Sequence, residues 1–260
     1  MKKEIIDFRV VENICISPLY SLLKLTPVSG ASVPDALPGQ FVQVSCDKSK
    51  HTFLRRPISI CNVDRNDNTL WLLIRCAGPG TASLCSATLG EIMSIIIPLG
   101  NGFSILPEKK RVLLVGGGVG VAPLLLLGKK LKKAGVCPEF LVGARSQSDL
   151  LMVEEFNRIG ITHIATDDGS AGEKGVVTLH SALSEGNKWD MIYCCGPAPM
   201  MKAVAKAAKG LGSECEVSLE NMMACGLGAC LCCVEKTVKG NVCVCTEGPV
   251  FNINQLTWQI

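Results

Sequence analysis

The sequence predicts an antiparallel β-barrel, then a doubly wound parallel α/β domain, then a cysteine-rich C-terminal segment. Three observations predict this. Short strand-like runs separated by turn signals fill residues 1 to about 100. Strand and helix patterns alternate from Arg111 onward, and from Asn221 neither period holds while glycine and cysteine dominate. A chain of 260 residues suits two domains at roughly 100–200 residues each. The boundaries fall at 1–102, 103–217 and 218–260.

In the first region the strand candidates are 5–16, 20–25, 41–46, 57–61, 70–76 and 91–97. Pro38-Gly39 and Asn66-Asp67-Asn68 divide them. Many short strands with few helices suggest an antiparallel barrel. One short helix is expected after Gly78-Pro79-Gly80-Thr81. Asn101-Gly102 and Pro107-Glu108-Lys109-Lys110 read as a linker. Beyond it, strands are expected at 112–115, 140–142, 161–165, 191–194 and 216–219. They alternate with helices at 122–133, 149–159, 177–183 and 199–211, the signature of a parallel doubly wound sheet.

Hydrophobic residues make up 48% and charged residues 19% of the chain, an ordinary globular composition. The net charge is +3, aromatics are only 5%, and no basic stripe carries interleaved aromatics. Nucleic acid is therefore not an expected partner. Glu4 and Asp7 interrupt any apolar leader at the N-terminus. The apolar region 112–127 is broken by glycine and shorter than the ~20 residues of a membrane span. A soluble cytoplasmic protein, without membrane contact, is expected.

The 15 cysteines are the outlier. Nine are scattered, mostly in apolar runs where a free thiol behaves as a small hydrophobe. Six crowd between Cys225 and Cys245. Cys225, Cys230 and Cys233 have the C-x4-C-x2-C spacing of plant-type 2Fe–2S sites, with Cys245 further on. Gly226 and Gly228 permit the backbone turns that bring thiolates to one centre. A structural zinc site with four thiolates is the alternative, although zinc usually takes paired C-x2-C knuckles. Cys232 and Cys243 are spare by spacing.

Two glycine turns follow strands. Gly116-Gly117-Gly118-Val119-Gly120 opens an apolar helix with Pro123 in its first turn. Backbone N–H groups there can face a phosphate; a plain tight turn is the alternative. Cys195-Gly196-Pro197 ends a later strand at its carboxyl end, where open α/β sheets bind ligands. Cys195 could face a nicotinamide or be a buried thiol beside a turn. No acidic residue ends the second strand. Arg145 could accept a 2′-phosphate or be a solvated surface residue. Asp167 and Asp168 could contact a ribose or make a turn. In the barrel, Arg55-Arg56-Pro57-Ile58-Ser59 reads by itself as a surface pair opening a strand. Arg56 could also reach a diphosphate bidentately, and Gly80-Thr81 could bind the same group.

Together these features resemble the ferredoxin-reductase-like flavoproteins, with their R-x-[YIL]-S, G-T, G-G-G-x-G and C-G-P motifs in this order. The stretch Ser218-Leu219-Glu220-Asn221-Met222-Met223-Ala224-Cys225-Gly226-Leu227-Gly228-Ala229-Cys230, followed by Cys245-Thr246-Glu247-Gly248-Pro249-Val250-Phe251, is similar to the pattern of type B dihydroorotate dehydrogenase electron-transfer subunits. The resemblance implies that 1–102 binds FAD through Arg56, Pro57, Ile58, Ser59, Leu73, Ile74, Arg75, Gly80 and Thr81. It implies that 103–217 takes NAD(H) as co-substrate, at Gly116, Gly117, Gly118, Gly120, Cys195, Gly196 and Pro197. It assigns Cys225, Cys230, Cys233 and Cys245 as ligands of a 2Fe–2S cluster; the Cys232-Cys233 doublet departs from the pattern.

It further implies an oxidoreductase subunit of pyrimidine biosynthesis. Electrons would pass between NAD and the FMN of a dihydroorotate-oxidising catalytic partner, in a heterotetramer of two subunits of each kind. The carbon chemistry would lie in the partner. Two rivals are a diaphorase subunit of a ferredoxin:NADP or sulfur-reducing oxidoreductase, and a non-catalytic zinc-binding, nucleotide-sensing module.

Overall fold

A computed structural model describes residues 2–50 and 52–260. The first domain is a seven-stranded antiparallel sheet in the order β4-β3-β7-β1-β2-β6-β5. Its strands are β1 (Glu4–Ser17), β2 (Tyr20–Pro27), β3 (Phe41–Val44), β4 (Arg56–Ser59), β5 (Asn62–Asp64), β6 (Thr69–Arg75) and β7 (Ile92–Leu99). The sequence reading carried β4 on to Cys61 and did not include β5. In the structure β4 and β5 are the two outer strands, and only Ile60 and Cys61 separate them in the chain. The short link draws the sheet's edges together, so the sheet curls into an open barrel around Phe8, Leu23, Leu25, Ile60, Leu72 and Ile95, all fully buried. Helix α1 (Pro79–Cys85) follows β6.

The second domain is a sheet in the order β11-β10-β9-β8-β12-β13-β16. Its parallel strands are β8 (Val112–Gly117), β9 (Glu139–Ala144), β10 (Ile161–Thr166), β11 (Glu173–Lys174), β12 (Met191–Cys195) and β13 (Glu214–Ser218). Helix α2 (Ala122–Lys133) lies where expected. It approaches β9 closely: a Cβ on Gly128 would stand 2.5 Å from the Phe140 ring. Buried residues of α2 and the barrel residues Cys61, Trp71 and Leu73 share one core. Helix α4 (Ala198–Gly210) and the C-terminal segment share the core on the other face.

Two expected helices shrink. Residues 149–159 keep only α3 (Val153–Asn157), because Met152 takes a left-handed conformation with φ of 61°. Residues 177–183 become two 3₁₀ turns broken at His180, whose ring accepts the Ala182 N–H at 3.0 Å. A side chain that bonds the main chain locally competes with helix continuation.

The cysteine segment is more ordered than its composition suggested. It forms a hairpin of β14 (Val234–Thr237) and β15 (Gly240–Cys243), then a turn of helix, α5 (Val244–Glu247). Strand β16 (Val250–Asn252) then adds antiparallel to β13. The segment is thereby fastened to the α/β sheet.

Burial pushes the Cys61 and Cys215 thiols from an ordinary 9.0 up to about 12. The folded chain keeps both protons where an unfolded chain loses them. Above pH 9 the unfolded state binds fewer protons, so stability, complete below that pH, falls as pH rises. Urea midpoints should decline from about pH 9 upward, the loss approaching about 1.4 kcal/mol per thiol per pH unit. A midpoint constant to pH 10 would contradict this.

Candidate functional site

The carboxyl ends of the parallel strands open into a cavity of about 510 Å³, within the usual range for small-ligand sites. Strand order lays out its length. Beside β12 and the barrel it is lined by Tyr20, Arg75, Gly196, Pro197 and Glu220. Gly117, which ends β8, and Gly118 and Gly120 after it form the middle. Arg145, Asp149 and Asp167, after β9 and β10, lie at the far end.

Adjacent pairing of β8 and β12 sets Cys195 opposite Gly116, so the two glycine turns meet. A Cβ on Gly120 would stand 2.5 Å from the Cys195 carbonyl oxygen, and one on Gly117 2.5 Å from Met200 Sδ. Only glycine lets the turns close on one another. Gly116 packs against Val121 and Leu124 and does not line the cavity.

Cys195 does not face the cavity as one reading of the sequence allowed. It is 1% exposed, and burial drives its thiol far above the usual range, with Ser218 as a hydrogen-bonding neighbour. The peptide of Gly196 and the Pro197 ring take the wall position instead, because the side chain of the last β12 residue points into the sheet core. Glu220 stands in the wall near Arg75. Burial raises its carboxyl pKa, and Arg75 opposes that rise. Tyr20 and Glu220 were not singled out as cavity residues from the sequence, although Glu220 sits in the S-x-E stretch quoted above.

At the far end the two aspartates divide their roles. Asp168 accepts the Ser170 N–H at 2.9 Å and hydroxyl at 2.6 Å, which hold its pKa low and close the turn. Asp167 lines the cavity and, among the described residues, makes no side-chain hydrogen bond.

The barrel arginines also separate. The Arg55 guanidinium donates to the Ser94 carbonyl and, at 2.9 Å, to the Ser94 hydroxyl, tying it to β7. Arg56 lies over the first turn of α1, where a Cβ on Gly80 would stand 2.8 Å from its Nε. The fold thus gathers Arg56 and Gly80-Thr81 from separate elements into one cradle. Leu73 and Ile74 are each 1% exposed, so their side chains belong to the cores. β5 pairs β6 only from Thr69 to Trp71, which leaves the main chain beyond it without a strand partner on that side. Contact with a ligand there would be through the backbone.

The cysteine loop gathers its thiols in two groups. Cys225 lies beside Cys230, and Cys233 lies beside Cys245 and Cys243. The Leu227 N–H donates to Cys225 Sγ at 3.3 Å and, as the leading cause, lowers that thiol to about 6. The Gly228 N–H donates to Cys245 Sγ at 3.1 Å, and the Cys245 N–H to Cys233 Sγ at 3.4 Å. Burial nevertheless pushes Cys245 up to about 12. Among the described residues no three His, Cys, Asp or Glu side chains surround a single-ion position. Two pairs of thiols are the donor set that two bridged irons require. N–H groups aimed at the sulfurs supply the outer contacts that orient and tune such ligands.

Gln43, which the sequence reading passed over, links barrel and loop. It is fully buried in β3, donates to the Ala224 carbonyl at 3.4 Å, and leaves its Oε1 without a partner. A glutamine within the apolar run Phe41-Val42-Gln43-Val44 was the available signal.

Fold and site define a ferredoxin-reductase-like oxidoreductase with a nucleotide-binding α/β domain and an iron–sulfur-binding C-terminal segment. The family described as the iron-sulfur cluster binding domain of dihydroorotate dehydrogenase B matches residues 220–257, and the oxidoreductase NAD-binding domain matches residues 114–206. A dihydroorotate dehydrogenase B (NAD(+)) electron transfer subunit from Lysinibacillus sphaericus is 41% identical over 239 residues, covering 89% of this chain and 91% of its own. That from Fusobacterium nucleatum is 38% identical over 253 residues, covering 94% and 95%.

The solved NADH-dependent reduced ferredoxin-NADP oxidoreductase superposes with a TM-score of 0.86 at 30% identity, covering 96% of this chain and 90% of that one. The flavohem-like FAD/NAD-binding domain of a Vibrio cholerae nitric oxide dioxygenase, at 22% identity and a TM-score of 0.71, covers 82% of this chain and 98% of its own and shares the fold. The chain belongs to the family of dihydroorotate dehydrogenase B electron transfer subunits. Among the described residues, no helix is long and apolar enough to cross a membrane.

Proposed function

We propose that this chain carries electrons between NAD and the FMN of a dihydroorotate-oxidising partner subunit, in a cytoplasmic heterotetramer of two subunits of each kind. The observation that carries the reading is the gathering of Cys225 with Cys230 and of Cys233 with Cys245 in a chain that also holds a dinucleotide-sized cavity. Bound FAD would supply hydride exchange with the nicotinamide and single-electron exchange with the 2Fe–2S cluster. The residues present fit these groups. Arg56 and the first turn of α1 would hold the flavin diphosphate, with Ser59 and the β6 backbone toward the ring. Gly117, Gly118 and Gly120 would admit the dinucleotide phosphates, and Gly196-Pro197 the nicotinamide. Cys225, Cys230, Cys233 and Cys245 would ligate the cluster.

Cys230 and Cys232 are exposed, and Met222, Leu227 and Leu231 expose 82%, 45% and 64% of their surface around the cysteine loop. An apolar rim at the cluster supports docking of the partner there. No general base is assigned to this chain, so the test is a division of labour. NADH should bleach the flavin and cluster absorption of the purified chain. Dihydroorotate should do so only after the partner is added. Oxidation of dihydroorotate by the chain alone would overturn the reading.

Arg145 could accept a 2′-phosphate, but Asp149 and Asp167 share its end of the cavity. With two carboxylates and one guanidinium, that end would repel a 2′-phosphate and accept ribose hydroxyls. Two unit charges about 6 Å apart near a surface interact by about 3 kcal/mol. Asp167→Asn should therefore raise kcat/KM for NADPH relative to NADH by at least about tenfold. An unchanged ratio in flavin-reduction kinetics would remove Asp167 from specificity.

A further inference from the structure

We propose that Cys243 is a reserve ligand of the cluster, a fifth thiol placed to substitute for Cys245. This rests on reading the segment as a two-iron site. Cys243 ends β15 in an extended conformation (φ −83°, ψ 116°), two residues before Cys245. Between them Val244 is fully buried in the core, and its N–H donates to the Cys233 carbonyl at 3.1 Å. The stretch 243–245 therefore wraps Cys233. Both flanking sulfurs turn to one loop residue: Cys245 Sγ accepts the Gly228 N–H at 3.1 Å, and Cys243 Sγ approaches the Gly228 carbonyl at 4.0 Å. The thiols neighbouring Cys243 are Cys233, Cys225 and Cys230, three of the four assigned ligands. It is half-buried, on the site's rim. Cys232, the other spare, is exposed and has no comparable contact.

Substitution needs no oxidant. The Cys243 thiol would release its proton to water and its thiolate would bond iron, while the Cys245 thiolate, where present, would leave the iron and take up a proton; no electron moves. The physical reason is proximity: a thiolate already beside the iron's other ligand needs only a small movement of the β15 end.

The test is iron, acid-labile sulfide, visible spectrum and electron paramagnetic resonance of anaerobically purified full-length variants, with FAD content as the check on folding. Wild type and Cys243→Ala should carry a complete cluster, and Cys225→Ala none. Cys245→Ala should keep most of its iron with an altered spectrum. Cys232→Ala/Cys245→Ala should match it, and Cys243→Ala/Cys245→Ala should be bare. Because Cys245 is fully buried, Cys245→Val serves as the better-filled version should the alanine variant lose FAD. A Cys245 variant that holds FAD yet is as bare as Cys225→Ala would overturn the proposal. So would a double variant lacking Cys243 that still retains iron. Iron-free wild type would instead overturn the two-iron reading itself.

Discussion

Cys225→Ala should cost the protein its cluster while leaving the flavin in place. Cys225 lies beside Cys230, and its thiol is lowered to about 6, chiefly by the Leu227 N–H. The spare Cys243 is packed first against Cys233, whose carbonyl accepts the Val244 N–H, so an iron that loses the Cys225 thiolate would keep one protein thiolate. Outer contacts of a metal site alone are worth about 10–100-fold in affinity or activity, so loss of a direct ligand should exceed the upper figure. NADH-driven flavin reduction should persist, since the cavity shares no side chain with the thiol pairs. Electron delivery to the partner should fall by more than about 100-fold. Rapid-mixing spectroscopy of the flavin, beside partner-coupled turnover, separates the two. A variant that keeps iron and turnover would remove Cys225 from the ligand set.

Arg56→Ala should weaken flavin retention, whereas Arg55→Ala should weaken the fold. Arg56 lies on Gly80 at the first turn of α1, and among the described residues its own hydrogen bonds reach only the nearby carbonyls of Leu54 and Arg55, at 2.9 and 3.3 Å. Much of its donor fork remains for a phosphate. A hydrogen bond to a charged group is worth about 1.5–3 kcal/mol, so FAD should bind roughly 10–150-fold more weakly. Arg56→Lys should restore only part, because an ammonium cannot reproduce the fork. Arg55 holds β7 through Ser94, and its loss should lower the melting temperature with flavin affinity little changed. Equilibrium dialysis of FAD and thermal melts read the two effects. Equal FAD affinity in wild type and Arg56→Ala would refute the cradle.

Much of this protein was legible along the chain because its signals are local. The change of period near residue 110 reports the barrel-to-α/β transition, and α2 lies where its apolar pattern and Pro123 placed it. The C-x4-C-x2-C spacing carries the chemistry of the cysteine loop, since ligands drawn from one short segment leave their geometry in the spacing. Elements governed by single side chains were less legible. Residues 149–159 carry a helical pattern, yet the left-handed Met152 interrupts it, and His180 splits the next expected helix by bonding its own backbone.

What a residue faces was decided by tertiary structure. Arg55 and Arg56 are adjacent in the chain, but one braces β7 and the other lies on α1. Asp167 and Asp168 are equally alike, but one closes a turn and the other lines the cavity. Cys195 follows the expected strand into the expected turn, yet the pleat of β12 buries its thiol. Residue identity and spacing determined which chemistry this chain can host. Strand pairing, which brings distant segments together and selects the face each side chain takes, decided which residues meet at the site.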